Sequence, residues 1–317
     1  MKLWKAALLG AGAAALIAGS AQAREIKIGF VATFSGGLAN LGEQLRRGAE
    51  LYHNQHKGEL KGDTVELIFR DSKNPGGAVA KSVVQELITR DKVELITGLI
   101  FSPNAMSIAP LVTQAKVPVV IMNAGTSFIT NMSPNLARVS FTMWQAGFIM
   151  GEHAAKNLNC KSAVAGFTNY PPGKDSVAAF KRGLESAGGK LADAIPMGGP
   201  AKVPDFTPFL QRAKDKKPDC FYVFVPGGNH ASAVVRAYKQ LGMREAGIKL
   251  IGPGDITQDT LLQGMGDAAV GLVTASHYYA DLDNPANKAF VAAWKKAYGA
   301  DTTPDFVGVG GYDGMAA

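Results

Sequence analysis

The sequence predicts an α/β protein built from two doubly wound, Rossmann-like lobes joined by a multi-strand hinge. Three observations carry that reading. Short apolar runs alternate with helical periodicity along almost the whole chain. The alternation restarts after the segment RVSFT, Arg138 to Thr142. The chain of 317 residues, 47% of them hydrophobic, exceeds what one core usually fills and supplies enough apolar side chains for two.

Residues 1–23 stand apart from this pattern. Lys2 and Lys5 precede the apolar run AALLGAGAAALIA, and Ala21-Gln22-Ala23 closes it, which is the layout of a secretory signal with cleavage expected after Ala23. The run is too short to span a bilayer, and no other segment approaches 18 apolar residues.

The first strand-like run, EIKIGFVAT, is followed by a helix through LGEQLRRGAELYHN and a second strand, TVELIFRDS. A helix over residues 76–90 places Val79, Val83, Val84, Leu87 and Ile88 on one face, and KVELITGLI reads as the third strand. Continuous apolar strands between such helices predict a parallel sheet covered on both faces. A further buried strand opens VPVVIMNAGTSFIT, then RVSFT and a helix near 144–158 lead onward. KSAVAGFT, KDSVAAFKRGLES, KLADAIP, FTPFLQRAKD, CFYVFVP, ASAVVRAYKQLG and KLIGPGD repeat the alternation, and VGLVTASHYY and PANKAFVAAWKKAYG close it. No Gly/Pro/Ser-rich linker separates the halves, so several crossings rather than one tether join them. The expected division is residues 24–142 plus 275–317 for lobe 1 and 143–274 for lobe 2.

Cys160 and Cys220 are the only cysteines, in a chain bound for an oxidising compartment. They precede what read as the first and third strands of one lobe, which are neighbours in a doubly wound sheet. A disulfide is therefore geometrically open to them, and two buried free thiols are the alternative.

The net charge of +7 includes Lys2 and Lys5 of the leader, and the remaining basic residues are scattered among acids. Arg46-Arg47, Lys214 to Lys217 and Lys295-Lys296 read as solvated surface, so no nucleic-acid partner is expected. Catalytic signatures are missing as well. There is no G-x-S-x-G elbow, P-loop or H-E-x-x-H, and FVATFSGGLANLGEQ occupies the place of a dinucleotide fingerprint. GVGGYDG has the wrong spacing for one. His53, His56, His153, His230 and His277 form no metal spacing and read as surface residues. No enzyme activity, cofactor or metal is expected.

The chemistry that remains lies at strand ends, where open α/β sheets bind ligands. LITGLIFSPNAMSIAPLV runs from a strand to Phe101 and Ser102, and Pro103 then opens a helix. The free N–H groups of that first turn and the Ser102 hydroxyl make a carboxylate-sized anion site, although Ser102 as a plain N-cap fits the position equally well. After the next strand, Ala124 and Gly125 permit close approach to the main chain, and Thr126 offers a hydroxyl and an N–H.

At these residues the chain resembles the periplasmic solute-binding proteins of branched-chain amino-acid-type ABC importers, the type I periplasmic binding protein fold. The resemblance spans residues 24–317 and rests on the order of IKIGFVATFSGGLANLGEQLRRGAEL, RDSKNPGGAVAKSVVQELI, GLIFSPNAMSIAPLV, VPVVIMNAGTS, NYPPGKDSVAAFKRG, IGPGD and GVGGYDGMAA. It implies a periplasmic, monomeric binding protein that closes around a small carboxylate and delivers it to membrane permease subunits. It also implies that Ser102, Ala124 and Thr126 hold the ligand carboxylate and ammonium. Where amino-acid-binding members carry an acid for the ammonium, GPGD places Gly254 or Asp255. Pocket tyrosines of the family are replaced by Pro172, with Tyr170 nearby, and by Leu41. The expected walls, Leu41, Phe101 and Pro172, are apolar, and NYPPGKDS and SFTMWQ look like relatives that bind benzoate-type acids. An aromatic acid and an amino acid are both open as the ligand. Tyr170 packing on its own loop and Asp255 capping a helix near Thr257 are the alternatives to ligand contacts. Trp144 and Gln145 read as hinge packing. Family members continue beyond GMAA, so the chain looks truncated at its C-terminus. A sensor that presents the same fold to a receptor is the rival functional class.

Overall fold

A computed structural model describes residues 23–317. The signal-peptide expectation rests on residues 1–22 and lies outside the described residues. Strand β1 (Glu25–Ala32) sits between β2 (Thr64–Asp71) and β3 (Leu95–Gly98), and β4 (Val119–Ile121) and β5 (Leu136–Arg138) extend the sheet on the β3 side. All pairings are parallel. The order β2-β1-β3-β4-β5 recurs in the second sheet, where β6 (Ser162–Phe167) lies between β7 (Lys190–Pro196) and β8 (Cys220–Phe224), followed by β9 (Lys249–Pro253) and β10 (Val273–Ala275). Two copies of one doubly wound topology stand in a single chain.

Parallel neighbours demand crossover helices, and these cover both faces of each sheet. In the first half they are α1 (Ala39–His56), α2 (Gly77–Glu86) and α3 (Ser102–Ala115). In the second they are α4 (Met143–Asn157), α5 (Pro171–Ser186), α6 (Thr207–Asp215), α7 (Gly228–Gln240) and the short α8 (Asp259–Met265). The chain crosses between sheets after β5 and returns after β10. Helices α9 (Pro285–Tyr298) and α10 (Phe306–Ala316) then pack against α1, where Trp294 is fully buried. No described helix is long and apolar enough to cross a membrane.

Three local expectations change. The strand foreseen at RVSFT is Leu136–Arg138, and residues 139–142 form the crossing instead. Thr142 there starts α4 with a capping box, accepting from the Gln145 amide while the Gln145 side chain accepts from the Thr142 amide. Along residues 77–91, Ala80, Val84 and Leu87 are fully buried, whereas Val79, Val83 and Ile88 are only half-buried; packing of α2 against α3 as well as the sheet turns the buried face toward Ala80. His230 is buried, not superficial, and faces the Lys202 carbonyl at 3.2 Å.

The cysteine alternatives resolve to a disulfide. Because β6 and β8 are adjacent, Cys160 and Cys220 reach a Cα separation of 5.7 Å across 60 residues of sequence and bond. Closing a loop of that length removes denatured-state entropy, so reduction should lower stability by about 3–4 kcal/mol. Chemical denaturation of the oxidised and reduced protein measures this, and the loss should fall on the second half of the molecule.

Candidate ligand-binding site

In a sheet of order 2-1-3-4-5, the loops after the first and third strands diverge and leave a crevice at their carboxyl ends. The two sheets turn these crevices toward each other. A narrow cavity lies between them, walled by residues that follow β1, β3 and β4 on one side and β6, β8 and β9 on the other.

The β3 end is shaped by backbone conformation. Gly98 has φ of +96°, where a Cβ would collide with the Val31 carbonyl, and Leu99 follows at φ +61°. A left-handed leucine is strained, and strain of this kind collects at functional sites. It turns the chain sharply out of the sheet, so that Ile100, Phe101 and Ser102 face the cavity. Ser102 is the first residue of α3 and not its cap, a position taken by Phe101 without any side-chain bond. The Thr126 amide donates to Ser102 Oγ at 3.1 Å, which orients the hydroxyl and leaves its proton free to donate.

The loop after β4 is held from below. Arg138 Nη1 donates to the carbonyls of Ala124 (3.2 Å) and Thr126 (2.8 Å), and Nη2 donates to that of Ser127 (3.2 Å). Burial lowers the Arg138 pKa, and the carboxylate of Asp175 opposes that shift. The guanidinium remains a cation beneath the loop and favours an anion above it.

The structure brings together Leu41, Phe101, Ser102, Gly125, Tyr170, Pro172 and Asp255 as cavity wall. It does not bring Ala124 and Thr126 to that wall. The Ala124 amide donates to Leu99 O at 3.0 Å and its carbonyl takes Arg138, so its main chain is committed to the fold. Thr126 is fully buried one layer back, with Oγ1 lacking any partner. Gly125 is small for packing reasons, since a Cβ would lie 3.1 Å from Met143 Cε and 3.3 Å from a Phe141 ring carbon. Trp144, expected in hinge packing, is 42% exposed.

Several wall residues carried no signal of their own in the sequence. Phe141 comes from the first crossing, Met143 from the start of α4, Phe224 and Gly227 from the β8 end, and Phe306 and Val307 from α10. Each reads as core until the crossings are placed. Asn123 also lines the cavity, its Nδ2 donating to Ile100 O at 3.0 Å while its buried Oδ1 has no partner.

Opposite Ser102 stands Asp255, in the 3-10 turn Gly254–Thr257 that follows β9. Helix α8 begins four residues later with Gln258 as its cap, so Asp255 caps nothing. Among the described residues it forms no ion pair, and burial raises its carboxyl to about 7. Tyr170, the residue before α5, tilts against Phe224 with ring centroids 6.0 Å apart. Burial raises its phenol well above the ordinary value, and Asp255 adds to the shift, so it stays protonated. Asp255, Phe141 and Phe306 also border a wider adjoining cleft beside α4 and β10. Among the described residues no group of His, Cys, Asp and Glu is arranged to hold a metal.

Chemically, this is a slot with hydrogen-bond donors over a cation at one end, aromatic faces along its length and a lone acid at the other. Asp255 is a stability liability with a definite sign. Its folded pKa of about 7 exceeds the ordinary 3.8, so the folded state binds the proton more tightly. Stability therefore falls as pH rises from about 4 to about 7. Asp255→Asn should stabilise the ligand-free protein at pH 8 by roughly 1–3 kcal/mol and much less at pH 5, as read by denaturation at both values.

The comparisons with known proteins agree with this geometry. The family model described as periplasmic binding protein matches residues 25–317. The Leu/Ile/Val-binding protein homolog 6 of Brucella abortus (strain 2308) is 36% identical over 311 residues, covering 98% of this chain and 79% of that protein. A solute-binding protein of an ABC transporter from Rhodopseudomonas palustris BisB5, solved with 3,4-dihydroxybenzoic acid, superposes with a TM-score of 0.85 at 43% identity, covering 92% of this chain and 78% of its own. A leucine-binding protein of Thermotoga maritima MSB8 superposes at 0.79 with 26% identity, covering 92% and 81%.

Proposed function

The chain belongs to the periplasmic binding protein family and is a solute-binding protein of the ABC-transporter type rather than an enzyme; from that premise we propose that its ligand is a small aromatic carboxylate. The lobes, taken as residues 24–142 plus 275–317 and residues 143–274, close on the ligand, and the closed form delivers it to permease subunits in the membrane. After export across the inner membrane, the protein acts in the periplasm as a monomer.

The cavity wall is the observation that carries this reading. Phe101, Phe141, Tyr170, Phe224 and Phe306 surround it, with Leu41 and Pro172. Flat aromatic rings pack against such faces with little ordering cost, and an aliphatic side chain would need no such cage. The Ser102 hydroxyl, the α3 N-terminus and Arg138 below the loop favour the carboxylate end. Asp255, unpaired and facing the cavity, accepts a hydrogen bond from a ring hydroxyl at the far end. The relative from R. palustris BisB5 was solved with a ring that carries a carboxylate and two hydroxyls.

The same Asp255 supports a second reading, in which it pairs with the ammonium of an aliphatic amino acid, as the names of the Brucella and Thermotoga relatives suggest. Calorimetric titration with benzoate, 4-hydroxybenzoate, 3,4-dihydroxybenzoate, leucine and isoleucine separates the two. Binding confined to the benzoates supports the aromatic reading, and binding confined to the amino acids overturns it. Two substitutions sharpen the comparison. Ser102→Ala should weaken every ligand by about 10- to 100-fold, the value of a hydrogen bond to a charged group. Asp255→Asn should weaken 4-hydroxybenzoate about tenfold relative to benzoate, because only the former uses the acceptor.

A further inference from the structure

Outside the cavity wall, several polar contacts bridge the two halves: Gln258 and Thr260 donate to Asp305 Oδ2, the Ala280 amide donates to Asp259 Oδ1, and the loop after β4 meets α5. Ser127, in the loop after β4, donates its amide to Asp175 Oδ2 at 2.9 Å and its hydroxyl to Asp175 Oδ1 at 2.8 Å. Both carboxylate oxygens are thereby engaged by one residue of the opposite half, a geometry that needs a single relative placement of the lobes. Asp175 lies on α5 of the second sheet, one turn beyond Pro172, and Ser127 lies two residues beyond Gly125. The contact thus sits immediately behind a pair of facing wall residues and cannot part without parting them.

The two partners are held unequally. Arg138, on β5 of the first sheet, binds the Ser127 carbonyl and two others of the same loop, and all of those bonds lie within the first half. The loop therefore keeps its shape when the lobes separate, and the bonds to Asp175 are the ones that break.

We propose that Ser127 and Asp175 form a clasp that sets the open–closed equilibrium, so that affinity for any ligand depends on a residue that touches none. The proposal rests on reading the cavity as a site that closes on its ligand. Apparent affinity scales with the population of the binding-competent state, and a contact present only in that state changes the lifetime of the complex. Losing the clasp raises dissociation constants for all ligands by one common factor, about tenfold for two charge-assisted hydrogen bonds at a half-buried site.

The test uses the full chain and three probes, benzoate, 4-hydroxybenzoate and leucine, with stopped-flow rates. For whichever of them binds the wild type, Asp175→Ala and Ser127→Ala should each speed dissociation by the same factor and leave association unchanged. The double variant should be no worse than either single one, and Asp175→Asn, which keeps one acceptor, should fall between wild type and alanine. Unchanged dissociation rates, or losses that differ from ligand to ligand, overturn the clasp. Should none of the probes bind the wild type, the ligand class proposed above fails separately. Small-angle scattering of the ligand-free proteins then decides the clasp: a larger radius of gyration for Asp175→Ala supports it, and an equal radius overturns it.

Discussion

Parallel sheets place every strand's carboxyl end, and the N-terminus of every following helix, along one edge. Everything distinctive about this protein follows from two such edges facing each other in one chain. Each edge alone is a shallow crevice with unpaired amides. Brought together, they enclose a cavity whose ends inherit opposite character from the elements that happen to terminate there. The repeated order 2-1-3-4-5 makes the facing symmetrical in topology, while the side chains make it asymmetrical in chemistry.

That asymmetry is electrostatic. On the first-sheet side, Arg138 lies under a loop whose carbonyls it collects, and the amide of Thr126 turns the Ser102 hydroxyl toward the slot. On the second-sheet side, Asp255 sits without a counter-ion and is held near neutrality by burial. A ligand with a carboxylate at one end and a hydrogen-bond donor at the other satisfies both. The strained Leu99 belongs to the same arrangement, because it directs Ile100 to Ser102 into the cleft instead of along the strand.

The second cleft, the exposed Trp144 and the clasp all lie where the halves meet, and closing has different consequences at each. Bonds within the first half, such as those of Arg138, are indifferent to it. Bonds between Ser127 and Asp175 exist only when the halves are together. In the clasp proposed above, the residues that hold the lobes shut are not the ones proposed to recognise the ligand.

The strand–helix alternation, the restart after β5 and the presence of two α/β lobes were written in local patterns of apolar residues, and those patterns survive in the structure because periodicity follows from backbone geometry alone. Ser102 and Gly125 were legible for the same reason, since topology brings every strand end to one edge, whereas Tyr170 and Pro172 entered only through the resemblance to the family. Adjacency of β6 and β8 left a disulfide open, but only the fold could join Cys160 to Cys220. GPGD left Gly254 and Asp255 undivided, because a one-residue difference is settled by the 3-10 turn and not by composition. Ala124 lost its place in the wall because Leu99 takes its amide, a long-range bond that no local pattern announces. Phe141, Phe306, Arg138 and Asp175 gained their roles from the crossings, which set how two separately folded sheets lie against each other. Local sequence determined what each half is; the contacts between halves, made by residues far apart in the chain, decided what lies between them.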